Sequence, residues 1–214
     1  MNAQQPLRLA VVSAGLTQPS STRLLADRLT EAVRVELAGE GREVEVQVVE
    51  LRELAVDIAK NFASGFPSPD LADVLESVTS ADGLIAVTPV FTASYSGLFK
   101  SFFDVLDKDA LTGKPALIAA TGGTARHSLV LEHALRPLLV YLRAVVVPTA
   151  VYAASEDWGG SSDPLTDTLD TRIARAGREL AGLLRSLPGG AARPKSDTDE
   201  LIPFEQQLEA LRPE

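Results

Sequence analysis

Five short apolar runs, separated by stretches of helical periodicity, constrain this chain more than any other feature. Leu7–Ser13 (LRLAVVS), 43–49 (EVEVQVV), 83–88 (GLIAVT), 114–120 (KPALIAA) and 145–150 (VVVPTA) have the length and content of strands. Between the first two, Leu25, Leu29, Val33 and Leu37 recur every four residues over 20–38, giving one apolar stripe on a helix that Gly39 and Gly41 end. Residues 70–80 and 96–106 have helical spacing too. Residues 126–143 set Leu131, Leu135, Leu138, Leu139 and Leu142 on one side, and 164–187 read as a last amphipathic helix. Pro89 is expected to end the third strand and Pro137 to interrupt the helix over 126–143. Residues 51–69 read as a short helix over 51–59 and then a loop through Asn61, Gly65, Pro67 and Pro69.

Strands alternating with helices imply a parallel sheet covered on both faces, because each right-handed crossover lays its helix against the sheet. The expected fold is therefore α/β: a doubly wound, five-stranded parallel sheet in a three-layer αβα sandwich. The domain is expected to fill 1–188. Residues 189–214 read as a linker (GGAARPKSDTDE) and a docking tail around 201–211 (LIPFEQQLEAL).

Several function classes drop out. No apolar run approaches the ~18–20 residues that a membrane helix needs, and 1–12 lack the pattern of a secretory signal, so the expected address is the cytoplasm. The chain has no cysteine, and His127 and His133 match no zinc spacing; no metal site is expected, and any redox chemistry must come from an organic cofactor. With 29 acids against 20 bases the net charge is −9, which repels nucleic acid.

In an open parallel sheet, ligands lie beyond the carboxyl ends of the strands. Three loops leave that edge. The first sets Gly15 and Leu16 among the hydroxyls of Ser13, Thr17, Ser20, Ser21 and Thr22 and opens directly into a helix, whose unpartnered N–H groups and partial positive charge attract an anion. It contains neither GxxxxGK[ST] nor GxGxxG, so a phosphate on amides and hydroxyls fits better than a triphosphate or dinucleotide. The other reading is that residues 20–22 only cap the helix. The second loop, with Pro89, Val90, Phe91, Thr92, Ser94 and Tyr95, offers a platform for a planar ring, or plain packing. In the third, Thr121, Gly122, Gly123 and Thr124 let backbone N–H groups approach a flat ligand, or simply form a turn.

At these residues the chain resembles the NADPH-dependent FMN reductases of flavodoxin-like fold, particularly the reductase components of two-component flavin monooxygenases such as the alkanesulfonate system. The likeness spans 7–153 and is densest in ADGLIAVTPVFTASYSGLFKSFFDVLDKDALTGKPALIAATGGT. It implies FMN with its phosphate in the Ser13 to Thr22 loop, its isoalloxazine against Pro89, Val90 and Phe91, and its pyrimidine edge near Thr121 to Gly123. It also implies NADPH or NADH as reductant, no essential acid or base, a flavin-dependent monooxygenase as partner, and a homodimer or homotetramer. Three positions depart from the family pattern: no arginine stands near Thr17, Phe91 replaces a common tyrosine, and His133 stands where a tyrosine is found. The alkanesulfonate-type members carry a π-bulge in the fourth helix, and Pro137, lacking an N–H, independently predicts an irregular turn near His133. Arg126 and His127 read either as contacts for pyridine-nucleotide phosphates or as solvated loop residues. Lys100 reads as a helix-surface charge, and Trp158 as a partner contact or a plug. The competing functions are an FMN-retaining quinone or azo reductase and a flavodoxin-like electron carrier.

Overall fold

The computed structural model describes residues 5–159 and 167–187. The tail expected over 189–214 and the start of the last expected helix, 164–166, lie outside them. The chain runs β1 (Leu7–Ser13), α1 (Ser21–Ala38), β2 (Val44–Glu50), α2 (Ala55–Ser64), α3 (Pro69–Ser80), β3 (Gly83–Phe91), β4 (Ser94–Tyr95), α4 (Gly97–Asp104), β5 (Pro115–Gly122), α5 (Arg136–Tyr141), β6 (Val145–Val146), β7 (Val151–Ala154) and α6 (Leu169–Arg185). The sheet order is β2-β1-β3-β5-β6, all parallel, with β7 also parallel to β5 and β4 antiparallel to β3. This is the doubly wound order of flavodoxin-like folds, in which the crossovers diverge beside β1 and leave a crevice at the carboxyl edge. Among the described residues no helix is long and apolar enough to cross a membrane.

Alternation along the buried strands divides the core. Leu9, Val11, Ile85, Val87, Leu117 and Ala119 face α1 and α6, while Val12, Leu84, Ala86, Ile118 and Ala120 face α4 and α5 with Phe99, Phe102 and Phe103. The stripe expected on α1 is wholly buried. Helices α1 and α6 meet at Gly177, where an added Cβ would stand 2.7 Å from Ala32 Cβ and 3.1 Å from the Ala32 carbonyl carbon.

The chain departs from the expected pattern at four places. Pro89 does not end β3, which continues to Phe91 and pairs Pro89 with Thr121. The Val87 carbonyl accepts from Ala14, so Pro89, two residues on, turns its missing N–H to the same side, above the point where β1 has stopped. Residues 51–64 are more helical than expected: a 3₁₀ turn over Leu51–Leu54 leads into α2, which Gly65 ends at φ 77°. The fifth strand does not run unbroken over 145–150. It divides into β6 and β7 around Pro148, which has no N–H to give a ladder. The backbone freed there is served by side chains: Glu179 accepts from the N–H and hydroxyl of Thr149 at 2.7 Å each, and Arg136 donates to the carbonyls of Val147 and Pro148.

The fourth departure concerns 126–143. A 3₁₀ turn over Ala125–His127 precedes a π-turn over Leu131–Leu135, closed by the Arg136 N–H reaching back five residues to the Leu131 carbonyl, and only then does α5 begin. The irregular turn expected near His133 is therefore present. Its physical cause is Pro137, which cannot donate to the His133 carbonyl as an unbroken α-helix would require. Arg136 also clamps Glu132 at 2.6 and 3.0 Å. Its hydrogen bond and then its charge hold the Glu132 carboxyl below the ordinary range, against a smaller opposing effect of burial.

Arg136→Ala is expected to cost about 2–3 kcal/mol, because it leaves the Val147 and Pro148 carbonyls without their charged donor. The Glu132 share of that advantage is complete above the unfolded glutamate value and disappears as pH falls through the depressed folded one. Melting temperatures of parent and variant should therefore approach each other in acid. Curves a constant distance apart down to pH 3 would contradict this.

Candidate functional site at the carboxyl edge

The three loops singled out in the sequence converge at one edge. Ser13 and Ala14 are buried at the top of β1, with the Ala14 N–H on the Val87 carbonyl. Gly15 follows, and only glycine fits there, since a Cβ would sit 2.1 Å from Ser20 Oγ and 3.3 Å from Thr22 Cβ. The loop thus folds tightly onto the start of α1. Ser20 is the N-cap, its Oγ accepting from the Arg23 N–H at 3.2 Å, which leaves its own hydrogen to donate. The N–H groups of Ser21 and Thr22 precede the first α1 bond, from Leu24 N–H to the Ser20 carbonyl. No acid occupies the first turn.

Buried Thr22 is joined to buried Thr121 at the end of β5 by a hydroxyl–hydroxyl bond of 2.8 Å. One hydrogen serves that bond, and the second hydroxyl keeps its hydrogen for another acceptor. Leu16 and Thr17 are exposed, and the Thr17 hydroxyl donates to the Pro19 carbonyl at 3.0 Å, so its hydrogen is used within the loop.

Two arginines approach this loop, and acids hold both. Arg23 meets Asp27 at 2.8 Å and Glu50 at 2.5 Å; Asp27 first, then Glu50, lift its guanidinium above the ordinary range despite partial burial. Arg52 meets Glu50 at 2.8 Å, and Gln18, with its amide oxygen turned inward, accepts from Arg52. An anion here is left with amides, hydroxyls and the α1 dipole, in keeping with the missing arginine near Thr17.

In the second loop β3 turns at Thr92 and Ala93, both left-handed (φ 48° and 68°), into the two-residue β4. Phe91 pairs with Ser94 and Val90 with Tyr95 across this hairpin. Thr88 pins it from below, accepting from the Ser96 N–H at 3.0 Å and donating to the Pro89 carbonyl at 2.9 Å. Two non-glycine residues at positive φ cost of order 1–3 kcal/mol each, and such strain gathers where a ligand is clamped. Phe91 is 47 % exposed above buried Pro89 and half-buried Val90, while Tyr95 leans on Phe99 with ring centroids 5.9 Å apart.

The third loop rests on a residue that the sequence reading missed. The Tyr152 hydroxyl, on β7, donates to the Thr124 carbonyl at 2.9 Å and stands 2.0 Å from where a Gly122 Cβ would be. Gly123 has open space beside it. Burial, and then the charge of Asp157, raise the Tyr152 phenol above its ordinary value, so it remains a donor at neutral pH. The signal was available: a tyrosine alone in an apolar strand needs a partner for its hydroxyl.

The model of a family described as NADPH-dependent FMN reductase matches residues 7–159. The chain belongs to the NADPH-dependent FMN reductase family. It is 38 % identical to an FMN reductase (NADPH) of Pseudomonas aeruginosa, over 83 % of this chain and 92 % of that protein. It is 36 % identical to the NADH-dependent FMN reductase SfnF of Pseudomonas fluorescens, over 85 % and 98 %. A solved oxidoreductase from Corynebacterium diphtheriae superposes with a TM-score of 0.80 at 50 % identity, covering 85 % of this chain and 98 % of that one.

The rim fits the flavin of an FMN reductase on its own chemistry. Its first loop is a tight anion cradle with spare O–H and N–H donors, and its last offers side-chain-free backbone beside an exposed ring platform. The remaining singled-out residues lie elsewhere. His133 lies in the π-turn and, with Tyr95, Lys100, Pro137 and Tyr141, lines a groove of about 580 Å³ along α4 and α5. Lys100 is paired with Asp104 one helical turn on, as a surface charge would be. Trp158 is half-buried against the α1 and α6 core with the Arg28 guanidinium 5.2 Å over its ring, which makes it a plug in the monomer.

Proposed function

We propose that this chain is an NAD(P)H-dependent FMN reductase whose reduced flavin passes to a flavin-dependent monooxygenase, with its flavin site at the rim of β1, β3 and β5. The observation that carries the site is the Thr22–Thr121 bond, which unites an anion cradle and a glycine-lined edge across one crevice. When bound, FMN supplies two-electron chemistry by accepting hydride at N5 of its ring, and the protein supplies placement.

The N–H groups of Ser21 and Thr22 and the hydroxyls of Ser20 and Thr22 hold the phosphate, while Gly15 keeps the loop tight and Ser13, Leu16 and Thr17 wall it. Pro89, Val90 and Phe91 back the ring, with Thr92, Ser94 and Tyr95 forming the hairpin beside it. Thr121, Gly122, Gly123 and Thr124 meet the pyrimidine edge, stiffened by Tyr152. No side chain is assigned a proton transfer.

The same reading makes residues 1–188 the reductase domain and 189–214 an appended tail; it is supported by the family match closing at 159 and by 98 % of the solved relative being covered by 85 % of this chain. It also makes the protein a homodimer or homotetramer of the cytoplasm, where pyridine nucleotide is supplied. Exposed Leu129, Val140 and Tyr141, flanking and lining the α4–α5 groove, support self-association.

With NADPH or NADH, the purified chain is expected to show turnover that saturates in added FMN. A rate no greater than without enzyme rejects the reductase reading. A rate indifferent to added FMN, with yellow colour kept through desalting, moves the chain to the flavin-retaining reductases.

A further inference from the structure

We propose that Arg126 binds the 2′-phosphate that distinguishes NADPH from NADH and so makes this chain prefer NADPH; the inference rests on the flavin-reductase reading above. Family membership does not decide the matter, because relatives of nearly equal identity are named for NADPH and for NADH. A local group must do so.

Among the described residues, Arg126 and Arg42 alone carry guanidinium groups with no hydrogen bond or ion pair. Arg42 sits at the opposite edge of the sheet, just before β2, with one guanidinium nitrogen enclosed. Arg126 is exposed at the ligand edge. Acids outnumber bases across this chain and occupy nearly every other arginine, so an unclaimed guanidinium at the crevice marks where an incoming anion meets positive charge.

Its footing is fixed. The Tyr152–Thr124 bond anchors the residue that enters the 3₁₀ turn Ala125–His127, and Gly122 and Gly123 leave no side chains between that turn and the rim. The anion is not the flavin's own. In the sheet order β3 separates β5 from β1, and the cradle for the FMN phosphate follows β1. A second anion on the β5 side belongs to the second substrate. Of that substrate's phosphates, the 2′-monoester carries nearly two charges on three terminal oxygens, matching the fork of a guanidinium, whereas each diester of the pyrophosphate carries one. His127, exposed beside it, adds a second donor.

Steady-state kinetics of the full chain at saturating FMN test this, together with calorimetry of adenosine 2′,5′-bisphosphate and 5′-AMP. The parent is expected to have a lower KM for NADPH than for NADH and to bind the bisphosphate more tightly than 5′-AMP. Arg126→Ala should raise KM for NADPH about tenfold and KM for NADH less than about twofold, and should erase the calorimetric difference. Arg126→Lys should restore part of the preference, and added salt should weaken it in the parent but not in Arg126→Ala. A parent without NADPH preference, equal rises in both KM values (a pyrophosphate contact) or an unchanged calorimetric difference each overturn the inference. Absence of turnover with either nucleotide, while the calorimetric difference persists, overturns the reductase reading and leaves the phosphate contact standing.

Discussion

Ser20→Ala combined with Thr22→Ala is expected to raise the Kd for FMN by at least about a hundredfold. Each hydroxyl retains or shares a hydrogen that a phosphate dianion can accept, since Ser20 Oγ is itself an acceptor for Arg23 N–H and the Thr22–Thr121 pair uses one hydrogen of two. Charge-assisted bonds of this kind are worth roughly 1.5–3 kcal/mol each, so losing two removes about 3–6 kcal/mol, or two to four decades of affinity. No nearby cation can compensate, because Asp27 and Glu50 hold Arg23 and Glu50 also holds Arg52. The fold should survive: an N-cap lost to alanine costs about 1 kcal/mol and the threonine pair a similar amount. Fluorescence titration of FMN well below the melting point is the measurement, and an affinity within threefold of the parent would remove the phosphate from this loop.

Gly177→Leu should abolish cooperative folding or lower the melting temperature by more than about 10 °C. A Cβ at this position already overlaps Ala32, and the atoms next nearest to it, the Ala32 carbonyl carbon and Val33 N, belong to the α1 backbone and cannot swing aside. Helices α1 and α6 would have to part, opening the core that Leu25, Leu29 and Val33 share with Ile173 and Leu180. Overpacking costs typically 1–3 kcal/mol for modest additions, and a full leucine exceeds that. Gly177→Ala provides the graded case: it gains about 1 kcal/mol of helix propensity yet should still lose stability overall, because the overlap outweighs the gain. Thermal unfolding of both variants decides it, and an alanine variant more stable than the parent would show that the helices adjust freely.

Much of the architecture was legible because it rests on local patterns. The α1 stripe, the all-apolar β3 and β5 and the irregularity forced by Pro137 each follow from residue spacing alone. The three loops were legible as a group, since strand ends in a parallel sheet share an edge. The β3–β4 hairpin was not: Thr92 and Ala93 take left-handed conformations normally announced by glycine or asparagine, and tertiary packing overrides that preference. The break at Pro148 was written in the run VVVPTA and needed proline to be weighed against the valines before it. The acids that engage Arg23 and Arg52, and the seat of Tyr152 on Thr124, join residues 27 or more apart in sequence, and no spacing rule reaches them.

The wide turn before α5 sets the rotational phase of everything after it. An α-helix advances about 100° per residue, so deleting a single residue from Leu131–Leu135 to restore regular winding would spin α5 by that angle. Leu139, now sealed against the sheet, would swing toward water, and the Arg136 guanidinium would leave the Val147 and Pro148 carbonyls. Ordinary single-residue shortening of this helix is thereby barred unless its hydrophobic pattern is rewritten at the same time, which turns a local irregularity into a fixed inheritance of the sequence.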